Sequence, residues 1–379
     1  MRVLLVQLMK HYLLMVHIVR FFSLLFVLSL ASCTDESGDT DNKNDKNLYF
    51  PTDLDWETLD PMDIGWETDL LPDLFESLSD NGTRAFIVLK DGKIVIEEYF
   101  GKTILGTADF DKDRIWYWAS AGKTLTATIV GIAQQQGLLD INNSTSDYLG
   151  TGWTSMSAER EQNIKIRHQL TMATGLDESV DDPFDFSSSS LQYLTDPGSR
   201  WYYHNAPYTL LDQVVENAVG QTFEDYFDQV IGEPIGMSGE WKWTGNNHVY
   251  YSTARDMARF GLLMLNEGKW KDQILLTDNN YYQDMITPSQ SLNPSYGYLW
   301  WLNGQSSLIL PQSDVSLSEE LAPSAPADMY CGLGANGQYL CVIPSENIVM
   351  VRMGENPENS LVPLLYLRDI WSQLNSIIP

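Results

Sequence analysis

The stretch 120–137, SAGKTLTATIVGIAQQQG, restricts this chain more than any other. Leu125, Ile129, Val130, Ile132 and Ala133 cover much of the circumference of a helix, which predicts an element buried on most sides. Gly137 is placed to end it, because glycine accepts the left-handed conformation that follows a last helical turn. Ser120 then stands at the helix start, with Lys123 one turn later on the same face. A chain that buries this helix must also bury an amine beside an alcohol.

Two readings of that lysine compete. Gly122-Lys123-Thr124 matches the tail of a phosphate-binding loop, G-x-x-x-x-G-K-[ST]. The position of that loop's first glycine is Tyr117, the flank WYWAS is bulky, and no parallel βαβ pattern follows, so the phosphate reading fails. The other reading makes Lys123 a proton acceptor for Ser120. A free lysine, with a pKa of about 10.4, is protonated at neutral pH and cannot do this. Burial and the positive end of a helix dipole both favour the neutral amine, and enzymes bring such lysines to about 7–8. The same helix end stabilises negative charge on Ser120 and on a substrate oxygen.

The pattern around this helix predicts an α+β chain. TRAFIVLKDGKIVIEEYF reads as two strands joined at Asp91-Gly92. GQYLCVIP and IVMVRMGE read as strands near the other end, followed by the amphipathic LLYLRDIWSQL. An antiparallel sheet built from both chain ends and flanked by helices is expected, with a mostly helical lobe inserted. We place the sheet lobe at about 75–133 and 290–379, and the helical lobe at about 134–289. The Ser/Pro-rich GQSSLILPQSDVSLSEELAPSAPADM reads as a long loop of the kind that often covers a site.

The N-terminus carries a different message. Arg2, Lys10 and Arg20 precede the apolar FFSLLFVLSL and then LASC, the layout of an export signal over 1–33. Leu30-Ala31-Ser32-Cys33 resembles a lipoprotein box with Cys33 as the lipid attachment point; an ordinary cleaved signal is the alternative. Residues 34–49 form a polar tether, and 50–379 a single catalytic domain. The expectation is an exported bacterial protein facing the periplasm or exterior, touching the membrane only through its lipid. The chain holds 23 basic and 51 acidic residues, so a nucleic-acid partner is not expected. After Cys33 only Cys331 and Cys341 remain, as a disulfide or as two packed thiols, and no metal-binding or cofactor motif is present.

Tyr203-His204-Asn205 is the chain's one Tyr-x-Asn, as Ser120/Lys123 is its one Ser-x-x-Lys. Together with GLLDINNSTSDYLG, IKIRHQLTMATGL, DPGSRWYYHNAPYTLL and ARFGLLMLNEGKW, these motifs resemble the serine β-lactamase and penicillin-binding superfamily over roughly 84–355. The likeness is greatest to its class C-like branch, which includes esterases, D-aminopeptidase-like enzymes and 6-aminohexanoate-dimer hydrolases. The resemblance implies a β-lactamase/transpeptidase-like fold. It implies that Ser120 attacks, that Lys123 and Tyr203 share the proton transfers, and that Asn205 orients lysine and substrate. It also implies an oxyanion hole from the backbone N–H groups of Ser120 and Ala335. His204, Gly334, Trp118 and Asn336 are further candidates for contact with substrate.

One departure bears on the substrate. The family's third motif often reads Lys-Thr-Gly or His-x-Gly, whereas CGLGANGQYLCVIP places Gly332-Leu333-Gly334 there. A substrate carboxylate deprived of its charged partner loses about 1.5–3 kcal/mol, or tenfold and upward in binding. A small-molecule ester or amide is therefore the expected substrate. A D-Ala carboxypeptidase or class C-like β-lactamase is the alternative, and a catalytically idle receptor would be expected to have lost Ser120, Lys123 or Tyr203. His168, at the start of HQLTM, reads as a helix-start residue rather than a triad base, since no G-x-S-x-G elbow accompanies it.

Overall fold

In the computed structural model, which describes residues 47–379 apart from 53, 54 and 359, Asp91 and Gly92 both have positive φ, 52° and 83°. That is the geometry of a two-residue hairpin turn whose twist matches its strands. The export signal, Cys33 and the tether up to residue 46 lie outside the described residues.

The strands used below are β1 (Thr83–Lys90), β2 (Lys93–Tyr99), β3 (Trp116–Tyr117), β4 (Gly239–Thr244), β5 (Asn247–Ser252), β6 (Trp301–Leu302), β7 (Tyr330–Gly334), β8 (Gln338–Ile343) and β9 (Ile348–Gly354). The helices are α1 (Leu71–Asp80), α2 (Lys123–Gln135), α3 (Asn205–Thr209), α4 (Leu211–Val219), α5 (Ala254–Leu265) and α6 (Leu364–Ile377). The main sheet runs β2-β1-β9-β8-β7-β6, every pair antiparallel. The first hairpin thus pairs with the last strand, and the two chain ends share one sheet. Strands β8 and β9 are buried on both faces, which is why their sequences run apolar without alternation.

Helices cover both faces. On one side α6 packs against α1 and reaches the sheet through Tyr366, whose hydroxyl bonds Thr83 Oγ1 at 3.3 Å. On the other, α5 crosses β1, β8 and β9. It starts in a capping box, with Thr253 Oγ1 bonded to Asp256 Oδ2 at 2.6 Å and accepting from the Asp256 N–H at 3.1 Å. Helix periodicity alone put this segment in the inserted lobe, but its small residues let it settle on the sheet. A Cβ at Gly261 would stand 2.4 Å from Val349 Cγ1 and 2.8 Å from Leu340 Cδ1. Gly261→Ala is therefore expected to destabilise the fold by about 1–3 kcal/mol through overpacking, although alanine is the better helix former by about 1 kcal/mol. Urea denaturation checks which effect wins.

The segment 134–289 is less helical than its sequence suggests. The hairpin β4–β5 interrupts it, and β3, from the segment before α2, extends that hairpin into a three-stranded sheet, β3-β5-β4, which was not foreseen. Cys331 and Cys341 are partners in the β7–β8 register and form a disulfide, which decides between the bonded and free forms.

Candidate active site

The chain reaches Ser120 through a strained step. Ala119 has φ 47°, a left-handed conformation that costs a residue with a Cβ roughly 1–2 kcal/mol. A 3-10 turn, Ala119–Gly122, then leads into α2, so Ser120 lies in that turn rather than in the α-helix itself. Gly137 has φ 71° just beyond the helix end, as expected.

Strand β7 lies almost against this turn. A Cβ at Gly334 would stand 2.5 Å from the Trp118 carbonyl oxygen and 3.0 Å from Ala121 N; one at Gly332 would stand 3.0 Å from Thr124 Cγ2. The two glycines admit the backbone of β7 to the serine's turn. The residues that follow are held by Arg352, which is fully buried on β9 and donates to the carbonyls of Asn336 and Gly337, each at 2.8 Å. Asn336, itself at φ 64°, donates from Nδ2 to Tyr117 Oη at 2.9 Å.

Ser120, Lys123, Tyr203, Asn205, Ala335 and Asn336 all line one cavity of about 380 Å³. Lys123 Nζ stands 3.3 Å from Ser120 Oγ. Its amine is 4.0 Å from the centre of the Tyr208 ring and 5.5 Å from that of Tyr203. Burial lowers the Lys123 pKa to about 7, against an opposing pull from the Asp212 carboxylate. Tyr203 faces the Ser120 side chain; burial pushes its phenol well above the ordinary value, and that neighbour offsets part of the push. The Tyr203 ring is stacked on Trp301, with centroids 6.0 Å apart at 18°.

Three of the sequence candidates lie elsewhere. His204 has extended backbone (φ −104°, ψ 111°), so its side chain points opposite to those of Tyr203 and Asn205. It lies in a small separate pocket beside Arg200 and Tyr202. Trp118 is fully buried and donates through Nε1 to Ser252 Oγ at 2.8 Å, as part of the core. Gly334 is a spacer between strand and turn and does not line the cavity. Asn205 does line it but, among the described residues, makes no hydrogen bond to Lys123. His168 accepts from the Lys165 N–H at 3.1 Å as part of a helix cap, and burial pushes its imidazole down to about 4.

The sequence also left wall residues unnamed. Tyr208, beneath the lysine, lies one helical turn after the catalytic candidate at position 204 plus one, Asn205, and that spacing could have exposed it. Thr244, Asn247, His248, Val249 and Tyr251 come from the unforeseen β4–β5 hairpin. Phe184, Pro311, Leu361 and Val362 close the cavity with apolar surface from three loops, Pro311 coming from the long Ser/Pro-rich one.

A buried amine of lowered pKa against an alcohol that a phenol also faces can pass a proton from the alcohol to a leaving group. The comparisons agree with that chemistry. The Beta-lactamase family model matches residues 73–360. The chain is 21% identical over 336 residues to the 6-aminohexanoate-dimer hydrolase of Paenarthrobacter ureafaciens, covering 76% of each. It is 23% identical over 321 residues to a beta-lactamase of Yersinia enterocolitica, covering 71% of this chain and 81% of that one. Among solved structures, a penicillin-binding protein homolog from Caulobacter crescentus has the same fold, with a TM-score of 0.63 at 14% identity over 86% of this chain and 98% of the other. Since the matched stretch takes in well over half of its length, the chain belongs to the Beta-lactamase family, a family of serine hydrolases with this fold.

Proposed function

We propose that the protein cleaves a small ester or amide through a covalent acyl-enzyme formed on Ser120. The observation that carries this is the 3.3 Å approach of Lys123 Nζ to Ser120 Oγ, with burial holding the amine near a pKa of 7. Neutral Lys123 takes the hydroxyl proton as Oγ forms its bond to the substrate carbonyl carbon. The carbonyl oxygen becomes an oxyanion, received by the backbone N–H groups of Ser120 and Ala335, both on the cavity wall. Tyr203 stays protonated at neutral pH and hands its proton to the departing oxygen or nitrogen, refilled from Lys123. Water then attacks the acyl-enzyme by the same route in reverse.

The cavity favours an uncharged, largely apolar substrate. Lys123 is its one lysine or arginine, and that amine is committed to Ser120. Among the described lining residues no second lysine or arginine is available for the carboxylate of a β-lactam or a peptide terminus, and His248 is engaged with Asp212, which supports the ester or amide over the β-lactamase alternative. A fluorophosphonate probe is expected to label the wild type at one site and Ser120→Ala not at all; undiminished labelling of the variant would remove the nucleophile from the account. Among a nitrophenyl butyrate, a linear aminohexanoate dimer and a chromogenic cephalosporin, the ester should turn over fastest and the cephalosporin slowest. The reverse order would favour the β-lactamase reading.

The cross-strand disulfide supports export, since such bonds persist in oxidising compartments. Lipid attachment at Cys33 belongs to the same reading. Incorporation of labelled palmitate, lost in Cys33→Ala, tests it.

A further inference from the structure

The cavity has a second polar corner that the proposed reaction leaves unused. His248, on β5, lines the cavity, and its ring lies flat on Trp243 with centroids 4.5 Å apart at 5°. Its Nδ1 stands 2.8 Å from Asp212 Oδ2. A carboxylate can only accept, so the imidazole donates. Asp212 is buried on α4, one turn beyond Tyr208, whose ring carries the Lys123 amine. One helical run thus supplies Asn205 to the cavity wall, Tyr208 beneath the lysine and Asp212 behind it.

A carboxylate this deep is out of place unless something holds it ionised. Burial pushes the Asp212 carboxyl up, and the His248 hydrogen bond and charge pull it back down. Its other charged neighbours, Glu216 on the same helix and Glu224 on the helix Phe223–Phe227, push it further up. Lys123 itself faces Ser120, Tyr203 and Tyr208, and Asp212 is the carboxylate whose field opposes its burial. Glu224 Oε1 lies 3.2 Å from His248 Nε2 but is partly exposed, so water screens it.

We propose that Asp212 is a positioning residue for Lys123, placing a buried carboxylate one helical turn behind the Tyr208 ring on which the amine rests, and that His248, bonded to Asp212 and forming part of the cavity wall, holds that carboxylate there. This rests on the reading of Ser120 as nucleophile and Lys123 as base. A general base works best when its pKa lies near the operating pH, and burial alone would carry the amine past that point.

The test is the pH dependence of fluorophosphonate labelling at Ser120 in the full chain. The variants are Asp212→Asn, which keeps the shape and the acceptor for His248, His248→Phe, and the double variant. Asp212→Asn is expected to move the acid limb of the labelling rate to lower pH by about one unit, the low end of what a nearby charge does. His248→Phe should move it the same way, because Asp212 then takes up a proton, and the double variant should move it no further than Asp212→Asn alone. If His248→Phe does not fold, the isosteric Asp212→Asn carries the test by itself. An Asp212→Asn profile that superimposes on the wild type, or shifts that add in the double variant, would overturn the proposal. A wild type that does not label at all would instead defeat the hydrolase reading, so the two failures are distinguishable.

Discussion

Lys123→Met is expected to lower turnover by about 10³-fold or more and, at the same time, to make the protein more stable. The loss follows from removing the group 3.3 Å from Ser120 Oγ that receives its proton. The gain follows from the cost of burying an amine. Its pKa is about 7 in the fold against an ordinary 10.5, so between those values the unfolded chain holds a proton that the folded chain has released. Stability of the wild type therefore rises with pH across that window, and below about 7 the fold carries the buried ammonium in full. Methionine fills the space without a charge. A gain of about 1–4 kcal/mol is expected, largest in mild acid, with the wild-type slope between pH 7 and 10.5 flattened. Urea denaturation at several pH values reads both effects. A variant that is less stable and keeps the wild-type slope would show that the lysine is not held neutral by its surroundings.

Tyr203→Phe is the second large effect. The substitution removes one oxygen and leaves the ring, which is stacked on Trp301 and packed edge-on against Tyr296 at 6.2 Å. Folding should be nearly unchanged. Turnover should fall by about 10²–10⁴-fold, the range for a lost general acid. The leaving group decides how much of this is seen. Nitrophenolate departs without a proton, so a nitrophenyl ester should suffer less than an alkyl amide. Equal losses on both would argue that Tyr203 acts on the serine proton rather than on the leaving group.

How much of this was legible beforehand depended on whether the signal was local. The turn at Asp91-Gly92 is written in two residues that tolerate positive φ, and the spacing of Ser120 and Lys123 fixes them one turn apart wherever the helix goes. The sheet built from both chain ends followed from strand patterns at 83–99 and 338–354. The hairpin at 239–252 was missed although Trp241 and Trp243 alternate with Glu240, Lys242 and Thr244 in the period of a strand and Gly245-Asn246 offers a turn; β4 itself is almost wholly exposed, so its tryptophans mark no core face. Asp212 and His248 are joined only by the tertiary fold, 36 positions apart, and nothing in either segment announces the other. His204 is a different kind of miss. Its extended backbone, just ahead of α3, turns its side chain away from those of Tyr203 and Asn205, and a side chain that alternates between two site residues was a reading available from the sequence. The burial of Trp118 was not, since a large ring beside a nucleophile can wall a pocket or fill a core equally well.

The claim on which the rest depends is that Ser120 is activated by an amine whose pKa burial brings down to about 7, so that its uncharged form is well populated at neutral pH. The most direct measurement is the rate of fluorophosphonate capture by the wild type from about pH 5 to about pH 9, with the modified peptide identified by mass. The rate should climb with a half-maximal point near pH 7, and the added mass should sit on the peptide containing Ser120. A rate that stays flat across that range, or a label found on another residue, would contradict the account.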